Sequence, residues 1–308
     1  MIIPLARLCL AFCLTLSLSA WSQESHYRTI ELTDFATGTP TRLAELDHAK
    51  PTYIKFWATW CQPCMQQMPH FQLLQDTFGD RINFVAVNIN INERSGRVSS
   101  VIDRFGLTMP VWMDQRGQLA LELGLEGTPY SVLINPAGKI VYTTHESDAM
   151  LDGVMARLAD GQSLSSAGTE TLGEKQKARL LAPWQQGEHL VFFSATWCDW
   201  YLEEARPGMA RRCKDVQQGL NELVKQLPEE PWQGVVNHLW TDDKALSEFV
   251  EKYQMTIPFH IDRHGVLFNE FGVRDLPVLL KLRDGKVIAT VTDFSSVAAV
   301  RARLGEAR

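Results

Sequence analysis

Phe56-Trp57-Ala58-Thr59-Trp60-Cys61-Gln62-Pro63-Cys64 decides the reading of this chain. An apolar, β-prone run (Tyr53, Ile54, Phe56, Trp57) leads into two cysteines at Cys-x-x-Cys spacing, and a helical pattern follows through Met65, Met68, Phe71, Leu73 and Leu74. The stretch therefore predicts a strand, a tight turn and a helix with sulfur at its N-terminus. Unpaired backbone N–H groups and the helix dipole stabilise an anion there, so Cys61 is expected to ionise below the ordinary thiol range, as an exposed nucleophile. Cys64, one turn further in, is expected to be the resolving thiol. Pro63 fixes φ and removes a donor at a first-turn position where the loss costs little.

Two further motifs follow in order, Gly127-Thr128-Pro129 and Asn135-Pro136-Ala137-Gly138-Lys139. Together with Trp57-Ala58-Thr59-Trp60-Cys61 they resemble the thioredoxin superfamily, and within it the TlpA/ResA-type periplasmic thiol:disulfide oxidoreductases. The resemblance implies a cis Thr128–Pro129 bond beside the cysteines, with Thr128 and Pro129 orienting the client chain. A Cys-x-x-Cys pair also reads as half of a zinc site, but no second such pair and no finger-spaced histidines accompany it.

The chain has 308 residues, 45% hydrophobic and 21% charged, with a formal net charge of -6. Two domains of ordinary size are expected, and nothing points to nucleic acid as a partner. Met1 to Ser22 reads as a secretory signal, with Arg7 before the apolar run Leu8 to Leu18 and Ala20-Trp21-Ser22 as the exit; an uncleaved membrane anchor is the other reading. Removal of the signal takes Cys9 and Cys13 with it. Of six cysteines, Cys61, Cys64, Cys198 and Cys213 are left, in a compartment (the periplasm, by resemblance) that oxidises thiols.

Residues 23–160 are assigned to the TlpA-like domain. Ile82 to Val87 reads as a buried parallel strand, Ser95 to Phe105 as an amphipathic helix, Ser131 to Ile134 and Ile140 to Tyr142 as strands, and Met150 to Leu158 as the closing helix. Gly161 to Gly173 is a linker rich in Gly, Ser and Thr. Residues 174–308 then repeat the earlier motifs: Phe193-Ser194-Ala195-Thr196-Trp197-Cys198 echoes the first cysteine motif, Asp262 to Gly265 echoes Asp114 to Gly117, Leu276-Pro277 echoes Thr128-Pro129, and Gly285-Lys286-Val287 echoes Gly138-Lys139-Ile140. An internal duplication accounts for the preserved order. The expected fold class is α/β, two tandem thioredoxin-like domains, each a central mixed β-sheet flanked by helices.

The second copy reads as degenerate, because Tyr201 falls where simple counting expects a partner for Cys198. An insertion is expected between Glu203 and Trp232. An unbroken helix from Cys198 to Cys213 would hold the sulfurs roughly 20 Å apart. A fold-back at Arg206-Pro207-Gly208 would let them pair, so a disulfide and two structural thiols both stay open.

In thioredoxins a buried carboxylate precedes the motif; here that position is Lys55 in the first copy and Phe192 in the second. Lys55 either sends its ammonium to solvent, the reading preferred here, or is desolvated towards neutrality. Glu93 corresponds by resemblance to a functional glutamate of ResA-like proteins, or is a surface loop residue. Trp57, Trp60 and Trp197 are expected to pack beneath the sulfurs, with Trp60 partly exposed.

The leading expectation is an exported enzyme that reduces disulfides of protein clients, recharged by a membrane donor of the DsbD or CcdA type, as the resemblance implies. It needs no bound cofactor. An oxidase or isomerase has the same residues, since direction follows from potential. A copper-handling module using the thiols with Met65, Met68 and His70 is the other class, and a second half that merely widens the client groove is a third reading.

Overall fold

The computed structural model describes residues 26–165 and 172–305. The signal reading, with Cys9 and Cys13, lies outside the described residues. The first unit is built from β1 (Leu32–Asp34), β2 (Pro40–Thr41), β3 (Thr52–Trp57), α1 (Gln62–Phe78), β4 (Asn83–Asn88), α2 (Ser95–Phe105), β5 (Val111–Met113), α3 (Gln118–Glu122), β6 (Tyr130–Ile134), β7 (Ile140–Thr144) and α4 (Ala149–Ala159). Its sheet runs β2-β1-β5-β4-β3-β6-β7. β3 lies at the centre, parallel to β4 and antiparallel to β6, and from Tyr53 to Trp57 every residue is buried. Burial on both faces is why this strand reads as a continuous apolar run rather than an alternating one.

The second unit repeats the plan with α5 (Glu174–Leu181), β8 (Glu188–Ser194), α6 (Pro207–Gln226), β9 (Trp232–Asn237), α7 (Asp243–Tyr253), β10 (Phe259–Asp262), α8 (Val266–Glu270), β11 (Val278–Arg283), β12 (Lys286–Val291) and α9 (Val297–Gly305). Its sheet runs β10-β9-β8-β11-β12, which matches β5-β4-β3-β6-β7 strand for strand and in direction. Both units are thioredoxin-like. The Asp turns match as well: Asp114 accepts from Gln118 and Ala120 N–H at the start of α3, and Asp262 from Phe268 N–H in α8. Thr128–Pro129 is cis, and so is its counterpart Leu276–Pro277.

The structure corrects the sequence reading of the second copy. α1 buries Cys64, Met68, Phe71 and Leu74, while α6 buries Cys213, Gln217, Leu220 and Leu223 at the same spacing. Cys213, not Tyr201, therefore stands where the first unit has Cys64. The extra residues fall between the two cysteines, ahead of most of the charged stretch expected to hold them. Residues 199–205 form turns, and α6 begins at Pro207, where the fold-back was expected. Cys198 and Cys213 are joined, with a Cα–Cα distance of 6.0 Å.

One apolar cluster runs through both units. Trp60 stacks on Trp197 with ring centroids 5.0 Å apart, and Trp240 meets both rings edge-on. The backbone links across this face are reciprocal. Asn92 N–H donates to Arg274 O of the second unit at 2.7 Å, and Trp240 N–H donates to Glu126 O of the first at 3.4 Å. Asn92 Oδ1 also accepts from Leu276 N–H. Each unit thus lays the loop after its second central strand against the loop that leads to the other's cis-proline. Gly127 permits the approach, since a Cβ there would lie 2.8 Å from the Trp240 indole nitrogen.

Candidate functional site

The two cysteine motifs face each other across this interface. β3 delivers Cys61 to the N-terminus of α1 as its cap residue, and Cys64 N–H donates to Cys61 Sγ at 3.2 Å. Cys61 and Cys64 form a disulfide with Cα atoms 5.2 Å apart. On reduction that N–H and the dipole of a 17-residue helix act on the Cys61 sulfur, which favours its thiolate over that of Cys64.

The expected exposure of this site is corrected. Cys61 is 0% exposed and Trp60 1% exposed, because the second unit covers them. The cover is the segment that separates Cys198 from Cys213: the Tyr201 hydroxyl accepts from Gln62 N–H at 3.3 Å, and Arg206 Nη2 donates to Thr59 Oγ1 at 2.7 Å. A groove lined by Thr59, Gln62, Met65, Arg97 and Arg206 opens beside them.

Glu93 is buried rather than a surface loop residue. Its carboxylate accepts from Thr59 N–H at 2.6 Å, from Thr59 Oγ1 at 2.7 Å and from Asn88 Nδ2 at 3.1 Å. Burial pushes its carboxyl up, while the Thr59 and Asn88 hydrogen bonds and the Arg206 charge pull it back. Its hydrogen bonds hold the residue two places ahead of Cys61 and run to neither sulfur.

Lys55 corrects the preferred reading of a solvent-seeking ammonium. It is 0% exposed, with Nζ donating to Gln67 Oε1 at 2.7 Å and lying 3.4 Å from Ser131 Oγ. Desolvation pushes its pKa down to about 7. Gln67 passes the contact on to His145 O, and His145 Nδ1 donates to Pro129 O at 2.7 Å. The lysine is thereby tied to the cis-proline loop through two side chains, a relay that periodicity and spacing give no sign of.

His70 pairs with Ser147 at 2.5 Å and with Asp152 at 3.0 Å, and Met68 is buried in the core. These contacts account for two of the residues considered as copper ligands. Lining up Trp60-Cys61 with Trp197-Cys198 and α1 with α6 gives two dithiol positions, one per unit. Fold and site together define a thioredoxin-like protein with a Cys-x-x-Cys disulfide at a helix start.

Comparison with known proteins agrees. Residues 24–154 match the Redoxin family. Thiol-disulfide oxidoreductase ResA of Halalkalibacterium halodurans is 33% identical over 34% of this chain and 58% of its own length. Sporulation thiol-disulfide oxidoreductase A of Bacillus subtilis is 34% identical over 30% of this chain and 57% of its own. The crystal structure of StoA from Bacillus subtilis superposes on 38% of this chain and 86% of its own at 28% identity, with a TM-score of 0.33. The chain spans a little over half the length of the curated relatives it matches. The first unit is thus similar to ResA-type thiol-disulfide oxidoreductases and has a thioredoxin-like fold.

Removing the cover is expected to speed alkylation of reduced Cys61. Loss of the charge-assisted Arg206 bond and the Tyr201 contact should make it about tenfold faster in a Tyr201→Ala, Arg206→Ala protein, since 1.4 kcal/mol is a factor of ten. An unchanged labelling rate would show that these contacts do not shield the sulfur.

Lys55 generates a second expectation, read in the oxidised protein. With the folded pKa near 7, the buried ammonium opposes folding in full below that pH, and the cost fades as pH rises towards the unfolded value of about 10.5. Lys55→Met should therefore gain most over the wild type at pH 6. The difference should shrink by up to about 1.4 kcal/mol per pH unit above pH 7 in denaturant melts. A difference that does not vary with pH would place the ammonium in solvent.

Proposed function

We propose that the protein is an exported thiol:disulfide oxidoreductase that reduces disulfides in protein clients through Cys61 and Cys64. The observation that carries this reading is the Cys61 sulfur held at the cap of α1 with Cys64 N–H aimed at it. The Cys61 thiolate attacks one client sulfur, a mixed disulfide forms, and the other client sulfur leaves as a thiolate. Cys64 then attacks Cys61 Sγ and expels the second client thiolate. Two electrons pass to the client, and the Cys61–Cys64 bond closes again. The cis Thr128–Pro129 bond, which leads into β6 alongside β3, would orient the client backbone.

Glu93 and Lys55 act at one remove in this account. Glu93 fixes the loop that carries Trp60 and Cys61, and Lys55 supports the Pro129 loop. Because Cys61 is covered in the closed form, a client reaches it only when Trp60 and Trp197 part. The second unit is then a cover that meters access as well as a neighbouring surface for the client.

Export through the Met1 to Ser22 signal and residence in the periplasm fit the two disulfides, which persist where the compartment is oxidising. The reductive direction and a membrane donor of the DsbD or CcdA type rest on the ResA likeness.

Reduction of insulin disulfides by the full chain with a dithiol reductant tests the activity. Cys61→Ser should drop turnover to the uncatalysed rate, and Cys64→Ser should accumulate a mixed disulfide between Cys61 and the insulin chain. Turnover that survives Cys61→Ser would exclude this site.

A further inference from the structure

Cys198 follows Trp197 and β8 as Cys61 follows Trp60 and β3, and Cys213 takes the place of Cys64 on the helix behind it. The cysteines of the first pair are 3 residues apart in sequence and those of the second 15, yet the Cα distances are 5.2 Å and 6.0 Å. A structural cross-link would account for the bond alone. It does not account for Gln217.

Gln217 is 0% exposed and stands where the first unit has the apolar Met68. Its Nε2 donates to Ser194 Oγ at 2.8 Å, to Ala195 O at 3.3 Å and to Cys198 Sγ at 3.4 Å. Its Oε1 is buried and, among the described residues, has no partner. A buried amide with an unmet acceptor opposes folding, and Met68 shows that an apolar side chain fills the same position in this fold. The cost is offset once the disulfide opens, because an N–H aimed at the Cys198 sulfur stabilises a thiolate and the free oxygen can accept a thiol S–H.

We propose that Cys198 and Cys213 form a second dithiol–disulfide centre, with Gln217 holding the Cys198 thiolate. The substrate class is a protein disulfide. The Cys198 thiolate attacks it, a Cys198–client bond forms and one client thiolate leaves. Cys213 then attacks Cys198 Sγ, releasing the second client thiolate and restoring the Cys198–Cys213 bond. The two electrons are replaced by a protein dithiol, which is oxidised to its disulfide in the same two exchanges. Cys198 lies under the same interface as Cys61, so one opening movement serves both centres.

The test uses the full chain carrying Cys61→Ser and Cys64→Ser, which separates this centre from the one proposed above. Equilibration in glutathione buffers, acid quenching, alkylation and mass spectrometry should show Cys198–Cys213 opening and closing as one reversible two-electron couple while circular dichroism stays native. At pH 7 the opened pair should label at Cys198 about tenfold faster than at Cys213. Adding Gln217→Met should slow Cys198 labelling roughly three- to tenfold and move its pH profile upward, a change that loss of packing alone would not produce. Adding Cys213→Ser instead should trap Cys198 on an insulin chain. A pair that opens only when the chain unfolds would overturn the proposal, as would equal labelling of the two thiols or no trapped adduct.

Discussion

Trp60 stacked on Trp197 is the contact on which the rest depends. Each ring directly precedes the first cysteine of its unit, so the apolar area that joins the two halves is the same area that hides their sulfurs. Hydrophobic burial is non-directional and scales with area, and by itself it would not fix how the units meet. The reciprocal backbone bonds at Asn92 and Trp240 supply that register. The result is an arrangement in which the cysteine-bearing faces of two thioredoxin-like units cover one another.

This arrangement changes what the second unit means. Its inserted segment, between Cys198 and Cys213, is the part that reaches over Cys61 through Tyr201 and anchors on Thr59 through Arg206. The same Thr59 is held from the other side by Glu93. A carboxylate, a hydroxyl and a guanidinium thus form a part-buried polar chain across the interface. Thr59, two places ahead of Cys61, is therefore held by contacts from both units.

Much of this was legible in the sequence, for identifiable reasons. The first motif could be read because a strand, a cysteine pair and a helix start are local features, and the duplication of the unit followed from the motifs that the two halves share. The pairing of Cys198 was not settled, because counting forward from it lands on Tyr201; only the helical spacing of Cys213, Gln217, Leu220 and Leu223 against Cys64, Met68, Phe71 and Leu74 aligns the copies. The burial of Cys61 and Trp60 was illegible for a different reason, since it arises from contacts between units far apart in the chain. Lys55 lay between these cases. Its position ahead of the motif was evident, but whether its ammonium reaches water depends on how α1 and β6 close over β3, with Gln67 and Ser131 waiting there.

The central claim is that chemistry at Cys61 requires the two units to part. Arg94 and Asp275 face each other across the interface at 3.2 Å and are both accessible, so they offer a place to lock it. In an Arg94→Cys, Asp275→Cys protein, a short non-reducible bis-maleimide link can be installed while both native disulfides are closed, and client-disulfide reduction is then compared with the unlinked protein. The account predicts that linkage lowers turnover by at least about tenfold, with the fold intact. Turnover that is the same with the halves tied together would contradict it.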